Sequence, residues 1–220
     1  RNHVDLLVDC NLGEEKLARL PAQTLFGYNY AVLAEEFEAY HSKPRVFKNT
    51  INSVLLTFGG TDPHSLTPTL AQKILHIHPG LSITLLAGPG NRNIPALKDL
   101  ESKYAQVRLL DSTSEMAQTL FAHDIVFCAG GVTLHEAMAV GTPAFVINQV
   151  QHQVNKADRA EKQGASISLG MADLWDENRL PEILQSNPKN LEKMSQVGKS
   201  MIDGKGLKRV VDAIEKLLKP

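Results

Sequence analysis

The chain is a succession of short apolar runs, each followed by a longer stretch in which apolar positions recur every three or four residues. From residue 53 the runs are SVLLTF (53–58), SITLLA (82–87), VRLL (107–110), DIVFCA (124–129), PAFVI (143–147) and ASISL (165–169). They are nearly continuous rather than alternating, the pattern of parallel strands buried on both faces. The stretches between them, at about 67–77, 94–104, 114–122, 132–139 and 152–163, carry helical periodicity. This alternation predicts an α/β fold, a Rossmann-like parallel sheet with helices on both faces.

Helix boundaries are marked locally. Ser112-x-x-Glu115 and Thr133-x-x-Glu136 match the capping box, and Thr67-Pro68 places proline at a first helical position. Two or three helices close the chain, the last in LKRVVDAIEKLLK (207–219), where Leu207, Val210, Val211, Ile214, Leu217 and Leu218 form one apolar stripe.

Residues 1–48 break the pattern. HVDLLVDCN reads as one strand, and no second clear strand follows before residue 49, which predicts a long, weakly structured connection. The chain therefore divides into the remnant of an N-terminal domain plus linker at 1–48, a Rossmann-like domain at 49–200 and a C-terminal helix at 201–220. It opens on Arg1 rather than Met, which fits a processed product or a fragment of something longer.

Composition narrows the function classes. With 43% hydrophobic and 21% charged residues the chain matches a globular protein with a packed core. Lys plus Arg total 23 against 24 for Asp plus Glu, so no overall field draws it to nucleic acid or an anionic membrane. No apolar run approaches the ~18 residues of a membrane span. Cys10 and Cys128 lie in apolar strand-like runs, where reduced, buried thiols are expected, as in a reducing cytoplasm.

Three of the strand-to-helix connections are rich in glycine or small polar residues: FGGTDPHS (58–65), AGPGN (87–91) and AGGVT (129–133). In an open α/β sheet, ligands bind where such loops leave the carboxyl ends of strands. Glycine permits close backbone approach, and exposed N–H groups at a helix start favour an anion such as a phosphate. Neither a dinucleotide fingerprint nor a P-loop is present. Gly130 and Gly131 could equally make only a tight turn, and Glu136 either closes a capping box or accepts bonds from two vicinal hydroxyls, as on a ribose. His152 and Gln153 are placed at the start of the following helix, facing the same cleft, where polar capping is the competing account. His64, Asp62 and His152 are weak candidates for a general base; for Asp62, capping of the next turn is the stronger reading. No set of histidines and carboxylates has metal-ligand spacing, and no cofactor is implied.

Taken in order, GYNYAVLAEEF, LLTFGGTDP, AGPGN, AGGVTLHEAMAVGTP and QHQVNKADRAEKQGA resemble the C-terminal nucleotide-binding half of GT-B fold proteins. Within that group they look like the UDP-sugar hydrolase of the pseudaminic acid pathway and its spore-coat polysaccharide relatives. The glycine-to-Glu helix start is shared more widely, including with the glycosyltransferase that completes lipid II. The resemblance implies that Glu136 holds ribose hydroxyls and that the backbone of Gly130, Gly131, Val132 and Thr133 meets the diphosphate. It implies that the Met116 backbone reads the uracil edge and that Gln153 lies near sugar or phosphate. Gly59, Gly60, Thr61, Asp62, Gly88, Gly90 and Asn91 would line an interdomain cleft. The family's hydrolases also carry a G-x-G-H-x-x-R segment with the proposed general base, which this chain lacks. The expected function is binding of a UDP-sugar and, with a complete N-terminal domain, its hydrolysis to free sugar and UDP in surface-polysaccharide or sugar-acid biosynthesis. The alternatives are a UDP-sugar glycosyltransferase and a non-catalytic nucleotide-sugar-binding module. The expected partner is an N-terminal domain outside this chain, or a second copy of it.

Overall fold

A computed structural model describes residues 4–11 and 23–218. Its centre is a six-stranded, wholly parallel sheet. The strands are β3 (Ser53–Thr57), β4 (Ser82–Leu86), β5 (Val107–Leu110), β6 (Ile125–Cys128), β7 (Ala144–Asn148) and β8 (Ser166–Met171). They lie within one or two residues of the apolar runs. Their order is β5-β4-β3-β6-β7-β8, so the chain reverses its direction of travel across the sheet between β3 and β6. At such a switch point the two outgoing loops diverge and leave a crevice above the strand ends.

The helices α2 (Leu66–Ile77), α3 (Ile94–Lys103), α4 (Met116–Phe121), α5 (Val132–Val140) and α6 (Gln151–Gln163) occupy the predicted intervals. Alternate strand residues serve opposite layers. Val54, Leu56, Ile83, Leu85, Phe127 and Phe145 join a core shared with α2, α3 and α7 (Leu180–Leu184). Leu55, Val126, Cys128, Ala144 and Val146 join a second core shared with α4, α5 and α6. Burial on both faces explains why the strands read as continuous apolar runs. Two further helices, α8 (Pro188–Met201) and α9 (Gly206–Leu218), close the described chain; residue 219 of the predicted final helix lies outside the described residues.

The expected weak structure of residues 1–48 is corrected over the described part. β1 (Leu7–Asp9) pairs in parallel with a second strand, β2 (Thr24–Phe26), and α1 (Glu36–His41) packs on α4 and α5. Residues 12–22 of the expected connection lie outside the described residues. Ala31, Leu33 and Phe37 are buried in the second core. Gly206 admits the backbone here, since a Cβ on it would stand 2.1 Å from the Ala31 carbonyl oxygen. Arg45 donates to the carbonyl of Phe121 and to the hydroxyl of Thr142, both at 3.1 Å. This segment is part of the domain's packing.

Three helix starts differ from their sequence signals. α5 begins at Val132 behind Gly131, one residue before the predicted cap Thr133, and no side chain among the described residues bonds to its first N–H groups. α4 begins at Met116 rather than after Ser112, and the Thr113 hydroxyl accepts the Glu115 N–H at 3.0 Å. Pro68 occupies the third position of α2, still within the first turn, where its lost N–H costs no helix bond.

Candidate functional site

Two helix N-termini flank the switch point, and their electrostatic states differ. On the β3 side, Asp62 is 1% exposed and its two carboxylate oxygens accept the N–H groups of Leu66 and Thr67, each at 2.9 Å. The positive start of α2 is thus already neutralised by a side chain. The geometry that permits this is strained: Asp62 and Ser65 have φ of 42° and 52°, in the left-handed region that favours glycine. Both Asp62 oxygens are committed to the cap, the stronger of the two sequence readings.

On the β6 side no side chain among the described residues fills the equivalent place. Gly130 and Gly131 lead into α5, whose first N–H groups carry no side-chain cap, and Val132 beside them is 58% exposed. A Cβ on Gly130 would lie 2.4 Å from Asn148 Oδ1 and 2.9 Å from the Gln153 carbonyl oxygen. Glycine is therefore required at 130 by close approach of the β7–α6 connection. That same approach brings Gln153 onto the loop, its Nε2 4.0 Å from where a Gly131 Cβ would stand. Gln153 Oε1 accepts the Gln149 N–H at 2.8 Å, so its amide nitrogen is the half left to donate. His152 lies beside it in α6, exposed.

Glu136, half-buried in α5, has a pKa raised from the usual carboxylate value. Burial is the main cause; the Thr133 hydroxyl opposes it, and the nearby Glu36 carboxylate adds to it. Glu36 was not among the sequence candidates, although it stands in the EEF segment. Its Oε1 accepts the Ala117 N–H at 3.2 Å, tying α1 to the start of α4 where Met116 sits. The structure therefore gathers Gly130, Gly131, Thr133, Glu136 and Gln153 around one helix start.

The residues expected to line a cleft pack through their backbones. Gly90 N–H donates to the Gly60 carbonyl at 3.0 Å, and a Cβ on Gly88 would fall 2.3 Å from Gly60 Cα. The AGPGN loop is held against FGGTDP by these contacts, with Asn91 Oδ1 accepting the Asn93 N–H at 2.8 Å. Gly59, with φ of 81°, turns the chain out of β3 toward Thr61.

Residues 54–217 match the glycosyltransferase family 28 C-terminal domain. The chain belongs to that family. This family 28 domain is 28% identical over 198 residues to the spore coat polysaccharide biosynthesis protein SpsG of Bacillus subtilis (strain 168), covering 87% of this chain and 58% of that protein. It is 26% identical over 176 residues to the UDP-N-acetylglucosamine–N-acetylmuramyl-(pentapeptide) pyrophosphoryl-undecaprenol N-acetylglucosamine transferase of Acetivibrio thermocellus, covering 76% of this chain and 48% of the enzyme. The chain thus spans about half the length of these relatives. Among solved structures it resembles Acinetobacter baumannii MurG, with a TM-score of 0.63 at 15% identity, over 90% of this chain and 57% of that one. The fold is the Rossmann-like C-terminal half of a GT-B protein.

The histidines of the family 28 domain divide by environment. His64 is paired through Nδ1 with Asp173 Oδ1 at 3.3 Å, a partner that sequence spacing did not reveal. His135 is buried, edge-on to the Tyr28 ring with centroids 5.5 Å apart; burial, helped by the charge of Lys156, pushes its pKa down to about 4. It is a neutral packing group under the N-terminal segment. Among the described residues no group of three or more His, Cys, Asp or Glu could hold a metal ion, and no helix is long and apolar enough to cross a membrane.

Proposed function

We propose that this chain is the nucleotide-sugar-binding half of a glycosyltransferase-type enzyme of polysaccharide biosynthesis, and that its ligand is a UDP-sugar. The observation that carries the reading is the contrast at the switch point. The start of α2 is filled by the Asp62 carboxylate, whereas the start of α5 is uncapped, opened by two glycines and followed by Glu136. An anion therefore belongs at α5, where N–H groups and helix dipole act together. With the diphosphate there, Glu136 accepts from the ribose hydroxyls, the Met116 backbone meets the base, and the Gln153 amide donates near the sugar-bearing phosphate. Charge developing on the departing diphosphate is stabilised by donors already in place, without reorganisation.

The names of the relatives support UDP-sugar chemistry, and the family supports transfer over hydrolysis. A hydrolase would use the same site with water in place of an acceptor hydroxyl, and a binding module would release nothing. Calorimetric titration of UDP, with CMP and inorganic phosphate as controls, tests the site. UDP should bind selectively, and Glu136→Ala should weaken it by about 10- to 100-fold, the cost of charge-assisted hydrogen bonds. Turnover of UDP-sugar in the presence of a complete N-terminal domain separates the reactions: acceptor-dependent release of UDP indicates a transferase, and acceptor-independent release a hydrolase. Equal binding of UDP and CMP, or an unaffected Glu136→Ala variant, would overturn the site.

A further inference from the structure

Gln149 follows β7 at the end of the crevice, and its side chain runs back across the sheet. Its Nε2 donates to the carbonyl of Phe58, at the end of β3. β6 lies between these two strands in the sheet, so the amide passes over the end of β6, where Ala129 leads into Gly130. Neighbouring strands are ~4.8 Å apart, and a glutamine is one of the few uncharged side chains long enough to make this crossing. Its backbone N–H is also engaged, by Gln153 Oε1 at 2.8 Å.

The amide orientation follows from its partner. A backbone carbonyl can only accept, so the atom facing Phe58 is the NH2 group and the other is the oxygen. That oxygen, on a residue only 9% exposed, has no hydrogen-bond partner among the described residues. Leaving such an acceptor bare is costly, and native structures seldom do so without a use for it. The neighbouring orphan, Asn148 Oδ1, has a packing account, since it closes against Gly130. Gln149 Oε1 has none: it is a bare acceptor at the strand ends of the switch point, next to Gln153, whose amide nitrogen is a donor.

We propose that Gln149 is a specificity-determining residue for the sugar, its Oε1 accepting an O–H or N–H from the ring attached to the diphosphate. The inference rests on the nucleotide-sugar reading of the crevice. Phosphate oxygens carry no proton to give at neutral pH, so a bare carbonyl disfavours them and selects a hydroxyl or acylamino group. Gln149 thus separates the part of the site that meets charge from the part that meets the sugar.

The test compares UDP with UDP-glucose and UDP-N-acetylglucosamine, by calorimetry, on the wild-type chain and Gln149→Met, with thermal unfolding as the check on folding. Gln149→Met keeps length and loses the amide. UDP affinity should stay within about twofold, whereas affinity for at least one UDP-sugar falls about tenfold. Should Gln149→Met fail to fold, Gln149→Asn, which withdraws the amide by one methylene, carries the same expectation. Parallel weakening of UDP and UDP-sugar would reduce Gln149 to a structural brace and overturn the proposal, as would no change in either. Absence of UDP binding to the folded wild-type chain would instead overturn the nucleotide reading, and the sugar contact with it.

Discussion

The guanidinium of Arg45 donates to the carbonyl of Phe121 at 3.1 Å, joining a segment that precedes the sheet to the end of α4. The same group reaches Thr142 Oγ1 at 3.1 Å and the carbonyl of His123, and burial lowers its pKa to about 10. A cation at a helix carboxyl end satisfies carbonyls that have no helical partner. Arg45→Met should therefore destabilise the fold by about 2–4 kcal/mol, because it leaves these partly buried acceptors without donors. Urea unfolding measures this, and a loss under 1 kcal/mol would show that the strap is peripheral.

On the proposed site, Glu136 gives UDP binding a pH dependence. Its carboxyl pKa is raised, chiefly by burial, above the ordinary value of about 4.3. Hydroxyl donors favour the ionised form, so UDP affinity should be complete well above the raised pKa and decline as pH falls through it. Glu136→Gln should be weaker at neutral pH and nearly flat across the same window. Titrations between pH 4 and 8 would show an unchanged slope in the variant if another group were responsible.

Asp62 connects local strain to helix stability. Asp62→Ala removes the acceptor for two N–H groups of α2 and places alanine at a φ of 42°. A loss of about 1–3 kcal/mol is expected. Asp62→Asn should recover part of it, since asparagine tolerates this conformation and still caps. Equal stability of the two variants would argue that the cap contributes little.

Cys128 lies wholly within β6, with its thiol pKa pushed up to about 12 by burial and then by the Glu136 carboxylate. The thiolate is the reactive form. Under native conditions a disulfide reagent should label Cys10, which is half-buried, long before Cys128, and both should react in denaturant. Fast native labelling of Cys128 would contradict the packing of the second core.

The six strands and five intervening helices were legible because strands buried on both faces leave unbroken apolar runs, and amphipathic helices leave a period. Strand order was not, since the pairing of Leu55 with Val126 depends on residues 71 positions apart. Asp62 shows why one cap could be anticipated but not located. Its reach over four and five residues depends on two left-handed backbone positions that no spacing rule marks. The segment around Ala31, Leu33 and Phe37 looked like a linker because three apolar contacts on an irregular path make no periodic signal. Within the site, the glycines and Glu136 were visible as types in a pattern. Glu36, Gln149 and Asp173 were not, because each acts through a partner distant in sequence.

On the proposed function, the anion site of the switch-point crevice lies at the start of α5 and not at α2. A crystal structure of the chain with UDP distinguishes the two starts. Diphosphate oxygens are expected within about 3 Å of the N–H groups of residues 131–133, and ribose hydroxyls on Glu136. Diphosphate bound instead beside Asp62 and the start of α2, or outside the crevice altogether, would contradict it.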